Sequence, residues 1–587
     1  MLDILQAVQD RFRWVSPTAM EEVAVLTGLT RIAVEGVVSF YSFLSQTPKG
    51  QITIRLCDDI IDRYAGLGDV VKGFEQELGI GLGETSDDGR FSLEYTPCIG
   101  MCDQAPAAMI NDVVVTHLTQ AKAHEIAVAL KAGQTPQDLI SPQFESLSPY
   151  ERATAAVDNN IKHAGEVLLA PVPQDAGLSK ALDMPPEQII ANIQASGLRG
   201  CGGAGFTTGM KWRFAAAEAD TRRFVFCNAD EGEPGTFKDR VLLTERTDLL
   251  IEGMAIAARA VGAREGVIYL RGEYVYLLDH VESVLAARRA RGMLGADIAG
   301  KTGFSFDIRV QMGAGAYICG EEGALISSCE GLPGEPKTRP PFPVTRGYLG
   351  HPTVVNNVET FCHVARIMDR GAKWFHAMGT EGSHGTKLFS VSGDCLNPGI
   401  YELPYGLSVG ELLQMVSGED AAAVLVGGPS GTMIGRDSFH RKLTFDDLAT
   451  GGAIVVFSGA RNILEIVEYY MSFFVHESCG YCTPCRVGNV FLQKAIQKFR
   501  KGHADSSDID YLRDLSATII ETSRCGLGMT SPNPILSTLE NFPLVYSAVT
   551  KDSEDGMKAT FDIQSAIDGA RHIAKRRSYI YDRDFTK

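Results

Sequence analysis

The feature that most constrains the fold of this chain is a triplet of cysteines in its C-terminal part. Cys479, Cys482 and Cys485 stand at Cys-x2-Cys-x2-Cys spacing, and Cys525 follows in the segment Arg524-Cys-Gly-Leu-Gly528. One remote and three closely spaced thiolates suit the corners of a cubane iron–sulfur cluster, which needs converging soft ligands. Zinc is the alternative, although four-cysteine zinc sites usually show two Cys-x2-Cys pairs, and packing thiols are a third interpretation. The spacing favours a 4Fe-4S cluster held by these four residues.

The length and charge of the chain limit its class. With 587 residues it is too long for one hydrophobic core, and about 150 residues per domain predicts three or four domains. Apolar residues make up 45% and charged residues 22%, as in packed globular proteins. The formal net charge of −17 offers no basic surface to neutralise phosphates, so we expect no nucleic-acid partner.

The N-terminal sequence and the cysteines indicate a compartment. The segment Met1-Leu-Asp-Ile-Leu-Gln6 has no basic stretch followed by an apolar core, and no run of about 18 uncharged apolar residues occurs in the chain. Thirteen cysteines cannot all pair as disulfides, and clustered thiols in a reducing compartment are more often metal ligands. We therefore expect a cytoplasmic protein that does not insert into a membrane.

Apolar periodicity and turn residues divide the chain into segments. Short strands follow amphipathic helices in the first part, and strands such as Phe224–Cys227 later alternate with Ala-rich helices, as in a mainly parallel sheet. The predicted segments are helices over 1–48, a small α/β domain over 49–132, a linker over 133–180, a mainly parallel α/β domain over 181–385, an α+β module over 386–460, a helical domain over 461–547 and a tail over 548–587.

Three segments of the parallel domain suggest a ligand with phosphate and ribose groups. Gly200, Gly202 and Gly205 form a Gly-x-Gly-x-x-Gly loop whose amides can approach phosphate, and Lys211 could add a cation. A flexible turn is the alternative interpretation of this loop. The segment 227–240 places carboxylates after a strand, where parallel sheets bind ligands. The segment 313–322 ends in paired carboxylates that could accept both ribose hydroxyls.

The order of these motifs over roughly 180–545 resembles the NADH-binding flavoprotein subunit of respiratory complex I and its relatives. The resemblance implies a Rossmann-like domain for FMN and NADH over 181–385, a ubiquitin-like (SLBB-type) insert over 386–460 and a 4Fe-4S domain over 461–547. It places Glu233 at the nicotinamide and makes it the one residue that we predict to be catalytic, through a polar contact that positions the nicotinamide. The implied cofactor-binding residues are Gly200, Gly202, Gly203, Gly205, Phe206, Lys211, Phe214, Asn228, Asp230, Glu231, Glu233, Tyr317, Gly320, Glu321, Glu322, Phe342, Asn356 and Asn357.

The first 130 or so residues resemble the thioredoxin-like 2Fe-2S subunit that accompanies this flavoprotein. That family holds its cluster with Cys-x4-Cys and then Cys-x3-Cys. Cys98 and Cys102 match the second pair and Cys57 the first ligand, but Asp62 stands at the fourth position. A carboxylate is a harder ligand than a thiolate and a poorer partner for iron sulfide. We therefore predict that this cluster has been lost and that the domain survives as a scaffold.

The fusion of these parts, with the Arg-rich segment 574–582, most resembles the diaphorase large subunit of NAD-reducing bidirectional nickel–iron hydrogenases. This resemblance implies an iron–sulfur diaphorase small subunit and nickel–iron hydrogenase subunits as partners. NAD-dependent formate dehydrogenase and complex I contain the same module, and the sequence does not separate the three. An iron–sulfur electron carrier without nucleotide chemistry and a phosphate-binding regulatory module with structural zinc are the competing hypotheses from other classes.

Overall fold

The computed structural model describes residues 1–551 and 563–575. Its first part is a set of short helices, as the sequence predicts. Ser16 and Thr30 cap the second and third helices by accepting hydrogen bonds from Ala19 N and Ala33 N. The helices are α1 (Leu2–Phe12), α2 (Pro17–Thr27) and α3 (Arg31–Phe40).

A small thioredoxin-like domain follows the three helices. Its elements are β1 (Ile52–Cys57), α4 (Ile60–Tyr64), α5 (Leu67–Leu78), β2 (Phe91–Thr96), β3 (Ala108–Ile110), β4 (Val113–Val115) and α6 (Gln120–Lys131). The strands form a mixed sheet in the order β2-β1-β3-β4. Helices α5 and α6 pack against one another and against this sheet, and Phe74 lies in the buried layer between them.

The central domain is built around a four-stranded parallel sheet. Its elements are α7 (Pro149–Ala155), β5 (Ile161–His163), α8 (Ala176–Leu182), α9 (Pro186–Ala195), α10 (Thr208–Ala217), β6 (Phe224–Ala229), α11 (Lys238–Glu245), α12 (Thr247–Val261), β7 (Glu265–Leu270), α13 (Leu278–Ala290), β8 (Asp307–Met312), α14 (Glu322–Cys329), α15 (Pro343–Arg346), β9 (Thr353–Asn357), α16 (Val358–Arg370) and α17 (Ala372–His376). The sheet order β8-β7-β6-β9 is that of a doubly wound fold. Its switch point lies between β6 and β9, and ligands bind at the carboxyl ends of strands at such a point.

Both faces of the parallel sheet are buried, because side chains alternate along each strand. On β6, Phe224 and Phe226 pack against the N-terminal helices, whereas Val225 and Cys227 lie in the core that α12 and α16 form on the other face. Tyr41 anchors the N-terminal cover by donating a hydrogen bond to Ser328 Oγ over 2.8 Å. The helices α1–α3 therefore complete the central domain rather than form a unit of their own.

The insert after α17 is a mixed sheet with one main helix, as predicted for the ubiquitin-like module. Its elements are β10 (Gly379–Thr380), β11 (Ser383–His384), β12 (Thr386–Gly393), β13 (Gly399–Pro404), α18 (Val409–Met415), β14 (Ala421–Val426), β15 (Thr432–Gly435) and β16 (Ala453–Ser458). The sheet order is β15-β14-β16-β12-β13-β5. The first and last long strands of the insert, β12 and β16, are parallel neighbours at its centre.

Strand β5 belongs to the segment 133–180, which the sequence predicts to be a linker. In the structure β5 pairs in parallel with β13 and extends the sheet of the insert. The chain after β5 is held by Glu402 on β13, whose buried carboxylate accepts hydrogen bonds from the backbone amides of Val167, Leu168 and Leu169. The sequence analysis missed β5 because the strand is only three residues long and exposed.

Helices form the last part of the described chain. They are α19 (Ile463–Glu477), α20 (Thr483–Arg500), α21 (Ser506–Thr522), α22 (Gly526–Thr530), α23 (Asn533–Asn541), α24 (Pro543–Ser547) and α25 (Ile563–Ala574). The fold class predicted from the sequence is thereby confirmed. Of the predicted tail, residues 552–562 and 576–587 lie outside the described part, and these include most of the Arg-rich segment 574–582.

Within the described part of the chain, no single helix is long and apolar enough to cross a membrane. One pair of helices, α2 and α3, reaches the required length and composition together, but the two are bent by 118° with respect to each other.

We predict that Glu402→Ala destabilises the contact between the insert and the segment after β5. The substitution leaves three amides and the Thr386 hydroxyl without their acceptor, at a cost on the order of 3 kcal/mol. The thermal unfolding midpoint should fall and proteolysis near residues 165–169 should accelerate. Glu402→Gln keeps one acceptor oxygen and should lose less, and Glu419→Ala, at an exposed site, should behave as the wild type. An unchanged midpoint in Glu402→Ala would contradict the prediction.

Candidate functional site

A cleft of about 440 Å³ opens at the switch point of the parallel sheet, beside the carboxyl ends of β6 and β9. Its walls come from the glycine loop, the segment after β6, the turn before α14, two loops of the insert and the start of α22. The predicted residues that line it are Gly202, Gly203, Asn228, Asp230, Glu231, Glu233, Tyr317, Gly320, Glu321 and Asn357. The predicted residues that are not part of the lining are Gly200, Gly205, Phe206, Lys211, Phe214, Glu322, Phe342 and Asn356.

The glycine loop forms one wall of the cleft with backbone alone. A Cβ atom on Gly202 would come within 3.2 Å of Asn357 Cβ, so a side chain there would press on the opposite wall. Gly203 has a φ of 128°, a conformation that other residues rarely adopt, and opens onto free space. Cys201 between the glycines is buried and donates its amide hydrogen to Thr360 Oγ1 over 3.0 Å. The loop is thus a fixed backbone cradle rather than a flexible turn.

Two lysines lie near the cleft, and they have different surroundings. Lys211 Nζ donates to Val355 O over 3.0 Å and pairs with Glu322 Oε2 at 3.1 Å, beside the cleft lining. Lys238 lines the cleft, is 1% exposed, and donates to Asn357 Oδ1 over 3.2 Å. Lys211 was predicted from the sequence, whereas Lys238 was missed. The sequence signal for Lys238 is its place in the segment 227–240, which follows a strand and from which only the carboxylates were predicted to bind a ligand.

Glu231 is a buried carboxylate in the wall formed after β6. It accepts hydrogen bonds from Asp239 N over 2.8 Å and from the Tyr274 hydroxyl over 2.9 Å. Burial raises its pKa to about 7, and the charge of Asp239 adds to this shift. Its carboxylate therefore orders the start of α11, from which Lys238 and Asp239 extend.

Glu233 lies where the central domain meets the insert. Its carboxylate accepts the Tyr317 hydroxyl hydrogen bond and the amide hydrogen bond of Ser430, the latter over 2.8 Å. Burial raises the pKa of Glu233 to about 7, while these hydrogen bonds favour the charged form. Ser430 was not predicted, because it lies in a loop of the insert that carries no recognised motif. Asn533 Nδ2 donates to Ser430 O over 2.7 Å and holds this loop.

The paired carboxylates at the start of α14 face different partners. Glu321 caps the helix by accepting from the amides of Gly323 and Ala324, and it forms an ion pair with Arg339. Glu322 turns towards Lys211, at 3.1 Å, and Arg339, at 3.5 Å. The two carboxylates thus share one guanidinium, and only Glu321 belongs to the lining of the cleft.

Three predicted aromatic side chains are about half exposed. Phe206, Phe214 and Phe342 have relative exposures of 50%, 43% and 51%. Open aromatic faces of this kind are available for stacking with a planar ring. Asn356 plays a different part, because its Oδ1 accepts a hydrogen bond from the Trp212 indole over 2.9 Å inside the core.

The four C-terminal cysteines converge between α19, α20 and α22. They pack in one apolar cluster with Phe473, Phe474 and Leu527. Cys485 is buried, and its Sγ accepts a hydrogen bond from Asn489 Nδ2 over 3.4 Å. Burial raises the pKa of the Cys485 thiol to about 12, and nearby Cys482, Cys525 and Cys479 add to the shift. A set of four converging thiols fits a metal cluster, which binds thiolates and removes their protons.

The cleft and the four-cysteine site share structure. Tyr317 lines the cleft and packs in the cysteine cluster, and its amide donates to Glu477 over 3.0 Å. Glu477 ends α19 directly before the cysteine triplet, and burial raises its pKa to about 7. On the other side, Cys525 precedes Gly526 and Leu527 of the cleft wall. The two sites are therefore neighbours that are joined through the backbone of these few residues.

The three N-terminal cysteines are also brought together and are fully buried. Cys98 Sγ and Cys102 Sγ are 3.3 Å apart, and Cys57 Sγ donates to Asp62 Oδ2 over 3.1 Å. A second carboxylate, Asp59, accepts from Cys102 Sγ over 3.2 Å. Asp62 was predicted from the sequence as the residue at the fourth ligand position, whereas Asp59 was missed.

The donor sets distinguish which groups these sites can hold. The cleft, with its glycine cradle, Lys238 and Asn357, fits a flavin mononucleotide, and the four C-terminal thiols fit a 4Fe-4S cluster. The N-terminal site does not fit a 2Fe-2S cluster. It lacks a fourth thiol, and the carboxylates of Asp59 and Asp62 contact Cys102 and Cys57, so that harder oxygen ligands lie among the three thiols.

Comparison with protein families gives three matches along the chain. The Nuo51 FMN-binding domain family matches residues 193–366, the thioredoxin-like [2Fe-2S] ferredoxin family matches residues 1–131, and the NADH-ubiquinone oxidoreductase-F iron–sulfur binding region matches residues 465–549. The prediction that the N-terminal cluster has been lost stays a prediction, because the second match concerns the domain and not its ligands.

One curated relative and one solved structure cover nearly the whole chain. The NAD-reducing hydrogenase HoxS subunit alpha of Cupriavidus necator is 46% identical, with 98% of this chain and 96% of the relative covered. A subunit of the NADH-quinone oxidoreductase of Rhizobium meliloti is 40% identical over 63% of this chain and 91% of its own length. A crystal structure of NAD⁺-reducing [NiFe]-hydrogenase contains a chain with a TM-score of 0.87 and 38% identity, with 98% of this chain and 97% of that chain covered.

We predict that Tyr317→Phe raises the pKa of Glu233 above its value of about 7, because the tyrosine O–H bond that favours the charged carboxylate is lost. Infrared titration of the protonated carboxyl band would measure the shift. Glu231 and Glu477 have similarly raised pKa values, so Glu233→Gln is needed to assign the band. Tyr546→Phe, in the distant helical core, is the control. A titration midpoint that does not move would show that the hydroxyl does not act on this carboxylate.

Proposed function

The chain belongs to the family that contains the alpha subunit of NAD-reducing hydrogenase and the related subunit of NADH-quinone oxidoreductase, and from this premise we propose that it is the NADH-binding diaphorase subunit of a nickel–iron hydrogenase. The observation that supports this most is the shared wall between the cleft and the four cysteines. A nucleotide oxidoreductase that passes electrons onward needs its nucleotide site next to its first electron acceptor.

The extent of similarity favours the hydrogenase assignment over complex I. The hydrogenase alpha subunit covers 98% of the chain, including the N-terminal helices and the thioredoxin-like domain, whereas the NADH-quinone oxidoreductase relative covers 63% of it. A formate dehydrogenase remains the alternative assignment of the same module. We propose a diaphorase small subunit with iron–sulfur centres and nickel–iron hydrogenase subunits as partners. Thirteen cysteines without a disulfide support a cytoplasmic location.

The residues of the cleft would hold FMN. Bound there, a flavin supplies the exchange between two-electron nicotinamide chemistry and the one-electron chemistry of iron–sulfur clusters. Gly202 and Gly203 offer backbone amides to a phosphate, and Lys238 offers the buried positive charge. Asn228 and Asn357 offer polar groups at the strand ends. Residues 181–385 would thus bind the flavin, while the insert at 386–460 closes one side of the cleft.

The nicotinamide end of NADH would lie near Glu233, and its aromatic neighbours would position the nucleotide. Phe206, Phe214 and Phe342 offer exposed ring faces for stacking. Glu233 has its hydrogen bonds to Tyr317 and Ser430 already in place, so it positions the nicotinamide by polar contact and need not act as a general base. The ribose hydroxyls of the adenosine would bind the carboxylates at the start of α14.

Cys479, Cys482, Cys485 and Cys525 would hold the 4Fe-4S cluster within the helical domain over 461–547. We predict that Cys485→Ala abolishes the cluster EPR signal and electron transfer to partner subunits, while NADH-dependent reduction of artificial dyes by the isolated chain persists. The loss follows from removing the most buried thiol of the set.

The matched control is Cys329→Ala, which removes a partly buried thiol far from the cluster and should preserve the EPR signal. The isolated wild-type chain should reduce dyes with NADH and produce no hydrogen. Absence of flavin and of dye reduction in the wild type would favour the simple electron carrier. Retention of the cluster signal in Cys485→Ala would remove this residue from the ligand set.

We predict that Glu322→Ala raises the ratio of kcat/KM for NADPH to that for NADH by about tenfold or more. A carboxylate near the adenosine ribose repels a 2′-phosphate, and about 1.4 kcal/mol corresponds to tenfold. The substitution also frees Arg339 and Lys211 to attract this phosphate. Glu330→Ala, at the other end of α14, is the control and should leave the ratio unchanged. An unchanged ratio in Glu322→Ala would show that this carboxylate does not face the ribose.

A further inference from the structure

The thioredoxin-like domain contains a buried cluster of thiols and carboxylates whose charges have no partner. Asp59, Asp62, Cys57, Cys98 and Cys102 are each no more than 4% exposed. Within the described residues, neither carboxylate forms an ion pair with a lysine or arginine. Two carboxylates enclosed with three thiols are costly in their ionised form unless a cation is bound among them.

The separations of three ligand atoms are compatible with one metal ion bound between them. A carboxylate oxygen of Asp59 and the Sγ atoms of Cys98 and Cys102 all lie within 4.8 Å of one another. The two shortest separations are 3.3 Å between the sulfurs and 3.2 Å from Cys102 Sγ to Asp59 Oδ2. Ligands of one tetrahedral zinc ion, at about 2.0–2.3 Å from the metal, lie roughly 3.5–3.8 Å apart. These two separations need to lengthen by only a few tenths of an ångström to accept such an ion.

We propose that Asp59, Cys98 and Cys102 bind a single divalent cation of the zinc class, and that Cys57 of the same buried cluster completes the ligand set after it releases its hydrogen bond to Asp62. Two or more thiolates and one carboxylate in tetrahedral array are a borderline-soft set that suits zinc. Asp62 is not a ligand in this arrangement. Without an ion it accepts hydrogen bonds from Cys57 Sγ and, over 2.8 Å, from Ala107 N. A zinc-bound Cys57 is a thiolate without an S–H proton, so Asp62 then keeps only the bond from Ala107 N.

The surroundings keep the ligands in place before any ion binds. Asp59 caps α4 by accepting from Ile60 N over 2.6 Å, which fixes its carboxylate at the end of β1. On the other side, Arg271 donates to Cys98 O over 2.6 Å, and Arg240 donates to Gly100 O over 3.0 Å. These two arginines belong to the central domain. A bound ion would therefore fasten the start of α4 to a loop that is already held against the flavin domain.

Zinc in this site would give the thioredoxin-like domain a structural role in place of a redox role. A closed zinc site with four protein ligands has no redox chemistry and serves as a structural link. The domain is predicted to survive as a scaffold after the loss of its cluster, and the proposed ion accounts for how the scaffold is held. This inference does not depend on the proposed diaphorase activity.

The test is the zinc, iron and acid-labile sulfide content of the full-length chain, purified after growth with added zinc. We expect about one zinc per chain in the wild type. Asp59→Asn and Cys98→Ser should each reduce zinc at least tenfold without lowering iron or sulfide. Asp62→Asn should keep its zinc, and so should Asp58→Asn, which alters a neighbouring surface carboxylate that pairs with Arg63.

A second measurement covers the case in which these variants do not fold. Cobalt incorporated into the wild type should give tetrahedral ligand-field bands together with thiolate charge-transfer absorption. Absence of these bands, or zinc that stays bound in folded Asp59→Asn and Cys98→Ser, overturns the proposal. A Cys98→Ser variant that loses two irons and two sulfides per chain also overturns it, because that loss is the signature of a 2Fe-2S cluster.

Discussion

The structure depends on a network of buried charges below the cleft. Glu359, at the start of α16, is fully buried and pairs with Lys387 of the insert and, at 3.2 Å, with Lys238 of the cleft wall. Burial alone would raise the pKa of Glu359, but the two ammonium groups hold it well below its usual value. One carboxylate thus ties together the central domain, the insert and the residue that offers positive charge to a ligand. Removal of any one partner would leave an uncompensated buried charge, a loss of roughly 3–5 kcal/mol, so the three groups are interdependent.

The same principle explains why the cleft has its shape without a ligand. Asp239 is held by Asn357 Nδ2 at 2.6 Å and by Lys238 Nζ at 2.6 Å, and its amide donates to Glu231. The orientations of Asp239, Asn357 and Lys238 are therefore set by one another rather than by a bound group. Binding then needs little reordering, and the binding free energy is available for orienting the ligand. The insert takes part directly, since its Ser430 fixes the carboxylate of Glu233.

Local motifs made much of this architecture predictable. The cysteine spacing, the glycine loop and the segment after β6 each report on a short stretch of chain, and the structure brings all three to one region. The sequence could not show contacts between distant segments. That α1–α3 cover the parallel sheet depends on Phe224 and Phe226 facing away from α12, and that β5 joins the insert depends on Glu402. Asp59 and Ser430 were missed for the same reason, because nothing in the local sequence marks a residue whose partner lies in another element.

Two carboxylates of the cleft, Glu231 and Glu233, have pKa values raised by burial to about 7. Such groups change protonation state near neutral pH, whereas an exposed glutamate would be charged throughout. Negative charge that arrives in the cleft raises the pKa of a nearby carboxyl further and favours proton uptake there. Proton uptake by Glu231 or Glu233 therefore offsets part of the electrostatic cost of adding an electron to a group bound in the cleft. The bound group itself need not take up that proton. The hydrogen bonds that Glu233 accepts from Tyr317 and Ser430 stabilise its charged form and oppose this uptake. Their strength therefore sets how much of the added negative charge is neutralised by a proton on Glu233.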